Sequence, residues 1–373
     1  MSSKKPVVVY GASGYTGRLV CEFLRHYKIP FTAAGRNAAK LEEVMKSVPG
    51  IETADYDVVQ VDNTEESLTE LLEGRKVVCN VVGPFERYGE PVVRAALNTG
   101  CHYIDTTGEP AYANKMIEKY SQAFKEKGIS MCPYTAYMYV PAEICARTIM
   151  DQDPTIDNLE VATAGNFLPT HASVQSIFSL FSHDAQYLKD NEMVNWPAGR
   201  GYEVNVPGWI TTQLVHPWGG GFLPTVFKDH PTVHTCKQYS GNADRATMEM
   251  AIEMQKDFEA NVRTLATEEE RQAAIDARVE SVEYFLPPRE NPLENRSVDM
   301  AVGIGSAGGL RAVLQSTTPY TMTGLFQAAT AAMLAKGGTQ KPGFASACEA
   351  VGHNYLLAQL KNFVPAKLTI TDI

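Results

Sequence analysis

The chain has 373 residues, 44% hydrophobic and 20% charged, enough to build two domains with their own cores. Its formal net charge of -10 argues against nucleic acid or an anionic membrane as a main partner. No apolar run long enough to span a bilayer occurs. The seven cysteines lack C-x-x-C spacing and the eight histidines form no metal-binding array, so a zinc site is not expected. Lys4, Lys5 and Pro6 lead straight into the first strand without a signal peptide. Together with the free thiols this gives a cytoplasmic expectation.

The first predicted strand is Val7 to Tyr10. Gly11, Gly14 and Gly17 follow as G-x-x-G-x-x-G, and Leu19, Val20, Phe23 and Leu24 then recur at helical spacing. A glycine array between a strand and a helix is the pattern of a dinucleotide-binding turn. Gly11 serves the tight turn, Gly14 the close approach of a pyrophosphate and Gly17 the packing of helix on sheet. The second strand, Ile29 to Ala34, ends in Gly35-Arg36-Asn37, where a cofactor lacking a 2′-phosphate would meet an acid. Arg36 instead suits a 2′-phosphate, so NADP(H) is expected over NAD(H).

Strands are then predicted at Tyr56 to Val61, Lys76 to Val82, Cys101 to Asp105 and Ile129 to Cys132. The intervening helices start at a cap on Asn63 or Thr64, at Pro91 and near Ala111. This repeated βα rhythm implies a doubly wound parallel sheet with ligands at the carboxyl ends of its strands. After Thr135 the rhythm changes. Strands are expected at Leu159 to Thr163, Met300 to Ile304 and Arg311 to Ser316, and helices at Ala246 to Leu265 and after a capping box at Thr267 and Glu270. Residues 196–225 read as irregular loops and 286–297 as an exposed linker. Alanine-rich Thr321 to Lys336 and a final stretch from Ala345 to Leu360 read as helices.

The segments GASGYTGRLV at 11–20, AGRNAAKL at 34–41, NVVGPFERYGEPVVRAAL at 80–97 and GCHYIDTTGE at 100–109 resemble the saccharopine dehydrogenase-like oxidoreductases, in the branch that includes trans-acting enoyl reductases. PYTMTGLFQAATAAML at 319–334 is a looser match. The resemblance implies an α/β fold: a Rossmann domain at 1–135, an α+β substrate and dimerisation domain with a mixed sheet at 136–340, and a segment at 341–373 returning to the first domain. It implies that Gly11, Ser13, Gly14, Tyr15, Thr16 and Gly17 line the pyrophosphate, Arg36 meets the 2′-phosphate and Asp62 the adenine. Val82, Gly83, Pro84 and Phe85 would lie along the nicotinamide ribose, with Thr107, Gly108 and Glu109 facing the cleft between domains. Where the family often carries a GFDSxPSD-like segment, this chain has Ala136-Tyr137-Met138-Tyr139-Val140-Pro141-Ala142-Glu143, so a family substrate does not carry over.

The expected chemistry is reduction by NADPH of a conjugated C=C in a hydrophobic or polyketide-like small molecule. Saccharopine-type imine reduction and a non-catalytic NADP-binding sensor are the alternatives. Tyr137 and Tyr139 are the candidate proton donors because they follow a strand end. Packing of the domain junction accounts for them equally well. His171 is either an acid or a structural hydrogen-bonder. Glu109 either binds ligand or caps the helix that follows. The apolar middle domain suits a homodimer or a bulky substrate equally.

Overall fold

The computed structural model describes residues 4–197, 199–218 and 221–373. Chain order begins β1 (Val7–Tyr10), α1 (Tyr15–His26), β2 (Phe31–Gly35), α2 (Ala38–Met45), β3 (Tyr56–Gln60), α3 (Glu65–Leu72) and β4 (Val77–Asn80). It continues α4 (Phe85–Thr99), β5 (His102–Asp105), α5 (Pro110–Glu126), β6 (Ser130–Cys132), α6 (Val140–Gln152), β7 (Ile156–Gly165) and α7 (His171–Phe181). Then come β8 (Gln186–Lys189), β9 (Glu192–Asn195), β10 (Tyr202–Val204), β11 (Gln213–Val215), α8 (Phe222–Phe227), β12 (Thr235–Asn242), α9 (Arg245–Asn261) and α10 (Glu268–Glu280). The chain closes with β13 (Arg296–Gly305), β14 (Gly308–Thr317), α11 (Pro319–Ala335), β15 (Gly343–Phe344), α12 (Ala347–Val351), α13 (His353–Phe363) and β16 (Lys367–Asp372).

Two compact units result. The first takes residues 4–107, Tyr112–Val140 and Tyr320–Phe363. Its sheet has the order β15-β6-β5-β4-β1-β2-β3, and every neighbouring pair is parallel. Such a sheet is covered on both faces, and β1, β2 and β4 are buried at every position. From β1 the chain winds outward through β2 and β3, then returns to β4 and winds the other way through β5 and β6. The order therefore reverses between β1 and β4. Helix α11 joins this unit because Gly324 has no side chain. A Cβ there would lie 2.5 Å from Leu19 Cβ and 2.9 Å from the Leu19 carbonyl carbon. Helix α13 packs on the same helix, with Phe363 edge-on to Phe23 at 5.6 Å. The returning C-terminal segment thus covers α1.

The second unit takes Gly108–Ala111, Pro141–Pro319 and Val364–Ile373. Its mixed sheet has the order β16-β14-β13-β7-β12-β8-β9, with β7 and β12 parallel and the other neighbours antiparallel. Alternation sends Ala162, Ala164, Val298, Met300 and Val313 to one face, under Trp196 and Tyr202. The phenylalanines Phe178, Phe181 and Phe258 form a further core with Val262 and Ile275.

The structure corrects several boundaries. Residues 196–225 are not irregular throughout: they hold the β10–β11 hairpin and α8, although Ala198, Gly219 and Gly220 lie outside the described residues. The helix expected from Pro91 begins at Phe85 and carries Pro91 inside it. The final helix is two, because Gly352 at φ +94° breaks α12 from α13. The capping box at Thr267 and Glu270 is present.

Candidate functional site

The loops after β1 and β4 meet at the point where strand order reverses, the usual ligand position in such sheets. Gly11 holds φ +93°, and a Cβ there would lie 2.8 Å from Val82 Cγ2 and 3.1 Å from Val81 Cγ2. The Gly11 and Ala12 N–H groups donate to the Ala34 carbonyl at 2.9 and 3.3 Å, tying the turn to β2. Gly14 donates to the Gly11 carbonyl at 3.0 Å. Gly17 packs α1 directly on the turn: a Cβ there would stand 2.3 Å from the Gly11 carbonyl oxygen.

Helix α1 starts without help from any side chain. Its N-cap, Gly14, makes no side-chain cap bond, and no acid stands in the first turn. By contrast, Asn37 caps α2 by accepting from Lys40 N–H at 2.9 Å, and Thr64 caps α3 by accepting from Ser67 N–H at 3.2 Å. Helix α4 also begins without a side-chain cap, at Pro84. The first N–H groups of a helix need acceptors, and the dipole there favours an anion. Gly14 is exposed, and Ser13, Tyr15 and Thr16 are half-buried around this end.

A second cluster sits at the ends of β1, β2 and β3. Arg36 is exposed just after β2, and Asp62 is exposed just after β3. The Tyr10 hydroxyl feels the charges of both. Burial raises its pKa, while the Asn63 hydrogen bond and the Arg36 charge pull the other way. Asn63 does not cap α3. Its amide donates to Tyr10 OH at 3.1 Å and to the Tyr88 carbonyl at 3.2 Å, joining the β3 loop to α4. Asp62 also opens onto a cleft of about 460 Å³ with Gln60, Ser67, Glu70 and Arg75. That cleft follows the edge strand β3 and contains none of the glycine-loop residues, so it is not the dinucleotide groove.

A buried polar network underlies the ends of β4, β5 and β6. Asn80 accepts from Val82 N–H at 3.1 Å and donates to Tyr103 OH at 3.1 Å. Tyr103 donates to Asp105 Oδ2 at 2.7 Å, and its hydroxyl oxygen lies 3.1 Å from Tyr112 OH. Asp105 Oδ1 accepts from the Thr107 and Tyr134 N–H groups at 2.9 and 3.2 Å. Burial and then the Asp105 charge push the Tyr103 hydroxyl far above its ordinary pKa, so it remains a donor. From α11, Gln327 adds hydrogen bonds to the Asp105 and Thr135 carbonyls at 2.8 and 2.9 Å. Such satisfied networks hold loops rigidly. Asn80 and Gln327 lie within segments that carry the family resemblance and Asn63 reads as a cap, but only the fold reveals the bonds they make.

The remaining expected residues are distributed as follows. Val82, Gly83 and Pro84 are half-buried, Phe85 is buried, and the Gly83–Pro84 peptide is cis. Thr107 is buried in the first unit. Gly108 and Glu109 belong to the second, where Glu109 is buried and accepts from Ser176 Oγ at 2.7 Å. Tyr137 and Tyr139 are buried in the first unit. Tyr139 lies edge-on to Tyr134 at 5.1 Å, and Tyr137 N–H donates to Thr323 Oγ1 at 3.0 Å. His171 opens α7 in the second unit, with its ring 5.4 Å from that of Tyr284. Among the described residues no group of three His, Cys, Asp or Glu side chains could hold a metal, and no helix is long and apolar enough to cross a membrane.

Residues 7–132 match the saccharopine dehydrogenase NADP binding domain, and residues 140–371 match a family of unknown function, DUF5938. An NADP-binding domain is therefore present. The chain is 39% identical over 150 residues to a lipid droplet localized protein of Caenorhabditis elegans, covering 38% of this chain and 35% of that one. It is 33% identical over 153 residues to a saccharopine dehydrogenase-like oxidoreductase of Mus musculus (37% and 35% covered). It is 30% identical over 141 residues to a trans-acting enoyl reductase of Mycobacterium leprae (37% and 34% covered). The chain thus spans about a third of the length of these relatives. Apo saccharopine dehydrogenase (L-Glu forming) of Saccharomyces cerevisiae shares the fold, with a TM-score of 0.62 at 12% identity, covering 98% of this chain and 100% of that one.

Proposed function

We propose that this chain, which belongs to the DUF5938 family by its match at 140–371 and carries a saccharopine dehydrogenase NADP binding domain at 7–132, is a saccharopine dehydrogenase-like oxidoreductase that uses NADPH to reduce a conjugated C=C in a hydrophobic small molecule. The observation that carries the cofactor half is the pairing of the uncapped α1 terminus with Arg36, which stands where an acid would select NADH. The residues present fit the group. Gly11, Gly14 and Gly17 keep the turn free of side chains, and the N–H groups in the first turn of α1, which no side chain caps, are aimed where a diphosphate would lie. Arg36 offers a planar donor fork to a 2′-phosphate, and Asp62 and Asn63 border the adenine side. Bound there, NADPH supplies a hydride from nicotinamide C4.

The polar network beneath Val82 and Thr107 fixes the loops on the nicotinamide side. A C=C reduction also needs a donor for charge developing at the carbonyl and a proton at the α-carbon. Tyr137 and Tyr139, placed just beyond β6, are the residues proposed for these tasks. The enoyl half of the reading rests on the likeness to the Mycobacterium leprae protein. The seven unbridged, buried cysteines support a reducing compartment such as the cytosol.

The test is to incubate the protein with NADPH and a panel of hydrophobic enones and enoyl thioesters. Consumption of NADPH with a product two mass units heavier supports the reading. Reduction of imines but not enones would replace it with an imine reductase. Tight NADPH binding with no turnover on either panel would replace it with a non-catalytic NADP sensor.

A further inference from the structure

Two arginines of the first unit stand apart from the rest. Arg25 holds the Pro49 carbonyl, Arg75 the Leu71 and Lys5 carbonyls, and Arg94 the Glu65 carboxylate. Arg87 also has a partner. Among the described residues, the guanidinium groups of Arg18 and Arg36 make no hydrogen bond or ion pair. These two flank the glycine turn, Arg36 after β2 and Arg18 in the first turn of α1.

Arg18 is not a free surface side chain. It is half-buried, and its Nε is enclosed without a hydrogen-bond partner. Its guanidinium lies over the Tyr15 ring, 5.8 Å from the centroid. Tyr320, in the first turn of α11, braces that ring edge-on at 5.1 Å. A helical side chain leans back toward the N-terminus. Arg18 therefore leans over the turn that begins at uncapped Gly14. A partly buried cation without a counter-charge is unfavourable, and an anion at the helix terminus relieves both deficits at once.

We propose that Arg18 is a diphosphate-binding residue of the dinucleotide site, held in place by Tyr15 and by Tyr320 from α11. This rests on the NADPH reading above. Arg36 and Arg18 then divide the work: Arg36 recognises the 2′-phosphate, and Arg18 the diphosphate common to all nicotinamide dinucleotides. Tyr320, so distant in sequence, becomes a positioning residue that acts through the Tyr15 ring.

The test measures binding of NADPH and of ADP-ribose by calorimetry, since ADP-ribose has the diphosphate but neither the 2′-phosphate nor the nicotinamide. Melting of each variant without ligand checks its fold. Arg18→Gln is expected to weaken both ligands by the same factor, roughly tenfold or more, as for the loss of a charge-assisted pair. Arg36→Ala is expected to weaken NADPH and leave ADP-ribose within about twofold. Arg18→Lys, which keeps the charge and the stem, is expected to lose less than Arg18→Gln, and Tyr320→Phe less than Tyr320→Ala. If wild type binds both ligands and Arg18→Gln binds them unchanged, the Arg18 assignment falls and the NADPH reading survives. The assignment falls likewise if Arg18→Gln weakens NADPH but not ADP-ribose. If wild type binds neither, the NADPH reading falls and takes the assignment with it.

Discussion

Replacing Gly17 with alanine sets two effects against each other. In a helix, glycine to alanine adds about 1 kcal/mol of propensity in the interior and less in the first turn. Here the added Cβ would stand 2.3 Å from the Gly11 carbonyl oxygen, 2.7 Å from Ala12 Cα and 3.0 Å from the Ala12 carbonyl carbon. The first distance is about 1 Å inside ordinary contact, and the atoms it meets are backbone, which no rotamer change can move aside. Overpacking of this kind costs roughly 1–3 kcal/mol. Packing should win, leaving the variant less stable by up to about 2 kcal/mol. Relief would come by moving α1 off the turn, which also misaligns the N–H groups that we assign to the diphosphate. Affinity for NADPH should then fall roughly tenfold or more, the cost of losing one charge-assisted hydrogen bond. Urea denaturation gives the first quantity and fluorescence titration with NADPH the second. A Gly17→Ala protein more stable than wild type, with unchanged NADPH affinity, would refute the reasoning, because propensity alone would then govern the site.

Gly324→Ala should separate α11 from α1 and destabilise the first unit by roughly 1–3 kcal/mol in urea denaturation, since its Cβ would meet the Leu19 backbone at 2.9 Å. Gln327→Leu removes the donor to the Asp105 and Thr135 carbonyls. It should cost roughly 1–3 kcal/mol, while a Gln327→Leu protein with wild-type stability would show that the clamp is dispensable. Asp299, in β13, is fully buried with neither carboxyl oxygen hydrogen-bonded, and burial raises its pKa far above the ordinary carboxylate range. The folded state therefore binds this proton more tightly than the unfolded chain. The contribution is complete below about pH 4, where the unfolded carboxyl is also protonated, and is lost as pH rises toward the folded-state pKa. Cys145 is beside it and is also kept neutral by burial, so it adds no opposing charge. In urea denaturation between about pH 5 and pH 9, wild type should lose stability with rising pH relative to Asp299→Asn, which shares every other titrating group, including the buried His102 and His216. Identical slopes would contradict this.

What can be read from the chain follows from where the information lies. The strands of the first sheet show as apolar runs because both faces are buried, and α1 shows through Leu19, Val20, Phe23 and Leu24. The glycine turn shows because its residues serve it within a few positions of one another. The second unit hides more. Strands β8 to β11 are short, and their pairing partners become visible only once the sheet is assembled. Helix α4 reads short in the sequence because Pro91, a good starting residue, lies inside it. Asn63 looks like a cap in sequence, yet Thr64 caps α3 and Asn63 reaches Tyr10 and Tyr88. Nothing near Tyr320 or Gln327 hints that they serve loops at Tyr15, Asp105 and Thr135. Those contacts depend on Gly324 bringing α11 onto α1, a long-range fact that no local pattern encodes.

The central claim is that the glycine turn and Arg36 form a site selective for NADPH. Its most direct test is titration of the purified protein with NADPH and with NADH, following nicotinamide fluorescence, for wild type and for Arg36→Ala. The account predicts tighter binding of NADPH than of NADH by wild type, with the preference lost in Arg36→Ala and NADH binding little changed. Equal or tighter binding of NADH by wild type would contradict it.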